Sequence, residues 1–143
     1  MFIGEYRHTL DEKNRLAIPA KFRSKLGKGA VITRGLDNCL FIYTKEEWAK
    51  LSEKLAALPL SRAQSRAFSR LMLAGAMDAV LDTQGRVLVP DYLKRFANLA
   101  KDTVIAGVMN RLEVWDEQAW IEYSRVSEQN SNEIAEQLSE LGI

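Results

Sequence analysis

Two acid–arginine pairs, Asp11 with Arg15 and Asp82 with Arg86, sit in matching phrases, "TLDEKNRLAIP" (9–19) and "VLDTQGRVLVP" (80–90). A carboxylate four residues from a guanidinium across a turn can simply pair with it, a weak surface interaction. An arginine that projects from a turn can do more. Its planar fork matches a phosphate, or the O6 and N7 edge of guanine, through two donors. One copy would favour the first reading. Two copies with Asp and Arg in step favour turns that Asp11 and Asp82 brace and from which Arg15 and Arg86 project. Lys13 stands at the first tip beside Arg15. Asn14 and Gly85 occupy the same place in the two copies, and these types tolerate positive φ.

Other chemistry is sparse. The chain has one histidine, His8, and one cysteine, Cys39, so neither a zinc set nor an internal disulfide is expected. Nothing resembles a glycine-rich phosphate loop or a nucleophile elbow, and no two acids pair at an evident site. No enzyme activity, cofactor or small-molecule substrate is expected. Trp48, Trp115 and Trp120 fall at apolar positions and read as core. Arg62, Arg66 and Arg70 recur four apart. That row suits a solvated face or a pairing surface for another subunit better than a phosphate track. Arg7, Lys21, Arg23 and Lys25 widen the basic surface near the first turn.

Charge is unevenly spread. Net charge is +1, yet residues 1–43 carry eight Lys/Arg against four acids, and residues 116–143 carry one base against seven acids. Such asymmetry accompanies nucleic-acid contact on the basic side, or merely balances the whole. Apolar residues make up 47% of the 143, as in soluble globular chains, and no apolar run is long enough for a membrane span. The start lacks the pattern of a secretory signal, so a cytoplasmic protein is expected.

The elements that position the turns can be read from the repeat. Beyond Asp, Arg and Pro, Leu10 aligns with Leu81, Val31-Ile32 with Val104-Ile105, and Leu40, Ile42, Tyr43 and Trp48 with Leu112, Val114, Trp115 and Trp120. Two copies are too few for a solenoid. They suggest a pseudo-twofold unit whose halves complete one core. Each copy reads as a β-hairpin, a short helix after Pro19 or Pro90, a strand, a second strand and a helix. Gly27 and Asn98 are the expected left-handed helix stops. Thr44 and Glu47 make a capping box. Ser61 is the expected cap of a second linker helix that buries Phe68, Leu71 and Met72 and ends at Gly75. Ser131 is a cap for a tail helix with Ile134, Leu138 and Leu141 on one face. The divisions expected are 5–47 for the first repeat, 48–75 for a helical linker, 76–119 for the second repeat and 120–143 for an acidic helical tail.

"MFIGEYRHTLDEKNRLAIPAKFR" (1–23), "RGLDNCLFIY" (34–43), "LDTQGR" (81–86) and "NRLEVWDEQAW" (110–120), in this order and spacing, resemble the MraZ family of bacterial transcriptional regulators. The likeness covers nearly the whole chain, with the tail beyond about 125 the least diagnostic part. It implies an α+β, mainly β fold: two tandem repeats of the SpoVT–AbrB type forming one pseudo-twofold swapped-hairpin β-barrel with peripheral helices. It also implies a ring-like homo-oligomer on double-stranded DNA, bound at direct repeats in the promoter of its own division and cell-wall operon, and hence association with the nucleoid. The DNA-facing candidates are Arg15 and Arg86, with Lys13, Asn14, Arg7 and Lys21 around them. Asp11, Asp82 and Gly85 hold the turns. Similar sequences usually have glycine where Asn14 stands. The competing expectation is a non-enzymatic oligomeric module, in the manner of barrel-type antitoxins, that grips a protein partner.

Overall fold

The computed structural model describes residues 1–143. The first repeat supplies β1 (Phe2–Thr9), β2 (Arg15–Ala17), α1 (Ala20–Leu26), β3 (Ala30–Arg34), β4 (Leu40–Thr44) and α2 (Lys45–Ala56). After α3 (Ala63–Ser69), the second supplies β5 (Met77–Ala79), β6 (Arg86–Leu88), α4 (Asp91–Phe96), β7 (Asp102–Met109), β8 (Leu112–Asp116) and α5 (Glu117–Gln129), and α6 (Ser131–Gln137) follows. No helix is long and apolar enough to cross a membrane.

Six strands form one antiparallel sheet in the order β1-β7-β8-β4-β3-β5, and β2 pairs with β6 in a separate two-stranded ribbon. Only β3–β4 and β7–β8 pair within a repeat. Every other ladder joins the repeats. β1 runs along β7 from Phe2↔Met109 to Thr9↔Asp102, β5 pairs with β3, β4 with β8, and β2 with β6. The turn-flanking strands therefore do not zip into the expected hairpins. In the first copy they share one bridge, Leu10↔Leu16, before diverging to partners in the other repeat. The backbone bonds beyond the turns explain this divergence. Ile18 N–H donates to the Gly85 carbonyl at 2.9 Å, and Val89 N–H donates to the Asn14 carbonyl at 2.8 Å, so each turn is closed by its counterpart. The ladders draw an open sheet plus a ribbon rather than a closed barrel.

Both faces of the sheet are covered, which is why its central strands read as continuous apolar runs rather than alternating ones. Successive residues serve opposite layers. Leu40, Ile42, Ile105 and Val114 join the core with Leu16, Ile18, Val87 and Val89 of the ribbon and Phe22, Leu26 and Leu93 of α1 and α4. Phe41, Tyr43, Val104 and Trp115 point the other way, against Leu55 of α2 and Met72, with Trp48 and Trp120 at the margin. Trp115 is buried, whereas Trp48 and Trp120 are half-buried.

Helix ends hold some departures. Thr44 caps α2 through Glu47 N–H at 3.1 Å, and Asp116 caps α5 at the equivalent place. Asn98 is left-handed at φ 50, but Gly27 is right-handed and the positive φ falls on Gly29 instead. Neither Ser61 nor Ser131 caps a helix: α3 begins after Arg62, and Ser131 is already the first residue of α6. Of the expected buried set in the linker helix only Met72 is fully enclosed, while Phe68 remains 36% exposed. A π-turn over Arg70–Ala74 follows α3, and its wider winding takes Phe68 out of line with Met72. Ile134, Leu138 and Leu141 of the tail are all exposed.

Candidate functional site

The two acid–arginine turns have the same geometry. Asp11 Oδ1 accepts from the amides of Lys13 at 2.9 Å and Arg15 at 2.8 Å, and Asp11 Oδ2 accepts from Arg15 Nε at 2.7 Å. Asp82 Oδ1 accepts from the amides of Gln84 and Arg86, both at 2.9 Å, and its Oδ2 accepts from Arg86 Nε at 2.8 Å. The backbone closes each loop in the same way, Asp11 N–H to Arg15 and Asp82 N–H to Arg86, with Asn14 at φ 59 and Gly85 at φ 76. An acid is needed because one short side chain must accept from two amides and a guanidinium at once, which exceeds what a hydroxyl offers.

These bonds hold both carboxyls below the usual carboxylate range. The backbone amide of Arg15 does most at Asp11, and that of Arg86 at Asp82, with the guanidinium and the second amide adding to each. A lowered folded-state pKa means that the brace is complete at neutral pH and is lost as acid protonates the carboxylate.

The arginines lie on one side of the molecule. Arg15 Nε and Arg86 Nη1 stand 2.7 Å and 3.7 Å from the same oxygen, Asp11 Oδ2. Their side chains are 35% and 24% exposed, so neither is packed inward. Each spends Nε on its own aspartate. Arg15 keeps both terminal amino groups free of protein hydrogen bonds, and Arg86 Nη1 has only the longer approach to Asp11. Two guanidinium edges are thus pre-oriented side by side at the ribbon, able to receive planar acceptors or phosphate oxygens.

The remaining basic candidates divide. Lys13 is exposed at the first tip. Arg7 lies on β1 against Glu5 and Glu117, and Lys21 stands over the rings of Tyr6 and Phe22. These contacts do not bring Arg7 and Lys21 to the arginine pair. Asn14 reaches into the other repeat: its Nδ2 donates to Asp91 at 2.8 Å and its Oδ1 accepts from Lys94 at 3.1 Å.

At the second turn the matching support comes from Arg23, whose Nε donates to the Ile18 carbonyl at 2.8 Å and fills the space beside Gly85. Sequence reasoning had no role for Asp91 or Lys94 and took Arg23 only as surface charge. The signal lay in the repeat offset, which aligns Arg23 with Lys94. The two turns are therefore supported unequally, by a tether at Asn14 and by a filler at Gly85. No three His, Cys, Asp or Glu residues cluster as a metal site.

Gly85→Ala is expected to destabilise the protein by about 2–3 kcal/mol, combining left-handed strain with loss of the Arg23 bond. A Cβ at Gly85 would stand 2.3 Å from Arg23 Nε and force it off Ile18. Urea denaturation of the two proteins measures the loss.

A model of the family described as "MraZ protein, putative antitoxin-like" matches the chain twice, over residues 1–71 and 72–141. The chain is 47% identical over 143 residues to "Transcriptional regulator MraZ" of Caldanaerobacter subterraneus subsp. tengcongensis, covering all of both chains. It is 50% identical, again over the full length of both, to the protein of that name from Clostridium tetani, and 47% to that from Moorella thermoacetica.

Proposed function

The chain belongs to the MraZ family, and from that premise we propose that it is a transcriptional regulator that binds double-stranded DNA through its two arginine turns. The observation that carries this reading is the pair of neighbouring guanidinium edges held by Asp11 and Asp82. Arg15 reads base edges in the major groove, Lys13 anchors phosphate, and Arg86 does one or the other. A two-stranded β-ribbon is narrow enough to enter that groove.

One chain offers few phosphate contacts, because each contributes only about −0.9 to the salt slope and the net charge is +1. Firm binding then needs several turns on one assembly, so that each later contact forms at high effective concentration. Ring-like self-association supplies them. Direct repeats spaced by about 10 bp place successive turns on one face of the duplex. The promoter of the chain's own operon is the proposed target, and the bound protein is nucleoid-associated.

Titration of the upstream region of its own gene over a salt series tests this. Tight binding that weakens steeply and log-linearly with salt, and exceeds binding to scrambled duplex, is the expected result. No binding to that duplex at any salt would instead support the reading in which the fold grips a protein partner.

A further inference from the structure

The β2–β6 ribbon has one face on the core and one toward solvent. Leu16 and Val87 are cross-strand partners, and both are 0% exposed. Side chains alternate along a strand, so the other two rungs, Arg15↔Leu88 and Ala17↔Arg86, share the outer face. Leu88 is the only large apolar side chain among these four, and it is 58% exposed. Opposed side chains of a ladder stand about 5 Å apart at Cβ, which puts Leu88 beside Arg15. The repeat equivalent of Leu88 is Ala17, opposite Arg86. The two halves of the face are therefore unlike. Arg15 spends Nε on Asp11, keeps its terminal amino groups free, and has a leucine as its neighbour. Arg86 also approaches Asp11 at 3.7 Å and has only a methyl as its neighbour.

We propose that Leu88 is a specificity-determining residue that covers the C5-methyl group of a thymine next to the guanine read by Arg15, in the major groove of double-stranded DNA. This rests on the reading of Arg15 as a base-edge reader and adds to it. A lone exposed leucine is ordinary at a protein surface. This one shares its face with two guanidinium groups, so the surface that covers it carries negative charge. The major groove offers the required mixture. The O6 and N7 of guanine take a planar fork, and the thymine methyl is the one apolar group on any major-groove base edge. Successive base pairs are about 3.4 Å apart along the axis, so a side chain about 5 Å from Arg15 in the ladder reaches the neighbouring pair. Ala17 is too short to do the same beside Arg86. The Arg15 half of the ribbon then demands thymine beside guanine, and the Arg86 half does not.

A base-analogue scan of the duplex upstream of the chain's own gene tests the contact with the full-length protein at fixed salt. Deoxyuridine in place of each thymine in turn removes only the methyl and leaves pairing and phosphates intact. In a second series 7-deazaguanine removes N7 from each guanine and so locates the guanines that an arginine reads. Affinity is expected to fall about fourfold, the worth of one buried methyl-sized group, at thymines that neighbour an N7-sensitive guanine. In Leu88→Ala the loss at those thymines should shrink to less than about twofold, and in Leu88→Met it should return. Gel filtration checks that each variant keeps the wild-type size. Wild type that binds the duplex yet ignores every deoxyuridine overturns the contact and leaves the Arg15 reading standing. Methyl-sensitive thymines far from every N7-sensitive guanine, or Leu88→Ala with undiminished methyl sensitivity, do the same. A duplex that wild type does not bind removes both readings. If Leu88→Ala changes the assembly size, the leucine is a contact between copies and the proposal is wrong. Should either variant fail to fold, the wild-type scan alone decides.

Discussion

Replacing Arg15 by alanine is expected to cost about 1–3 kcal/mol of specific DNA binding for each turn engaged, with the assembly and the fold unchanged. The fold survives because Arg15 lies at the surface, and the amides of Lys13 and Arg15 still hold Asp11 when the guanidinium is gone. Binding suffers because the lost group is the one whose terminal donors are unspent. In an assembly that engages several turns at once the losses compound, so a promoter duplex with two repeats should feel the change about twice as strongly as a duplex with one. Arg15→Lys separates charge from shape. It keeps the positive charge and the phosphate attraction but loses the planar fork. It should therefore restore affinity for scrambled duplex more than affinity for the promoter. Fluorescence anisotropy with the two duplexes at fixed salt measures both. Equal promoter affinity for wild type and Arg15→Ala, at equal assembly size, would falsify the role given to this turn. Arg86→Ala is the informative companion, because Arg86 touches Asp11 as well as Asp82 and its loss disturbs both tips.

The repeat made much of this arrangement legible. Aspartate, arginine and proline in fixed register pointed to two like turns, and the aligned Asn14 and Gly85 both take positive φ. Apolar segments aligned between the two copies located the strands. They could not say which strand pairs with which, because a period of two specifies a face and not a partner. That is why β1 and β2 read as one hairpin yet belong to ladders with β7 and β6. The same blindness hid the tether from Asn14 to Asp91 and Lys94, and the packing of Arg23 against Gly85. Those contacts cross from one repeat to the other and leave no local spacing to detect. Phe68 departs from its expected burial for a different reason. Helical spacing assumes 3.6 residues per turn, and the π-turn at Arg70–Ala74 breaks that period between Phe68 and Met72.

The exchange of contacts between repeats makes one core residue of the first repeat matter to the turn of the second. Phe22→Ala is expected to destabilise the protein by about 3–5 kcal/mol. Phe22 is 2% exposed, and its ring meets Phe2 edge-on at 5.2 Å and Tyr6 at 5.4 Å. Both partners belong to β1, the strand that the first repeat lends to β7 of the second. Removing the ring therefore leaves a cavity at the joint between repeats rather than inside one of them. A domain of this size has about 5–15 kcal/mol in hand, so the variant keeps its fold but loses a large share of its margin. Phe22→Leu fills most of the cavity and should cost less than half as much. The residue that follows, Arg23, is the filler beside Gly85, so a loosened α1 also loosens the second turn. Hydrogen exchange at the amides of Gln84 and Arg86 should accelerate in Phe22→Ala by more than it does at the Lys13 and Arg15 amides, whose turn is tethered through Asn14 to α4 instead. Urea denaturation gives the overall loss. A cost below about 1 kcal/mol, or equal acceleration at the two turns, would mean that α1 does not couple the core to the second turn.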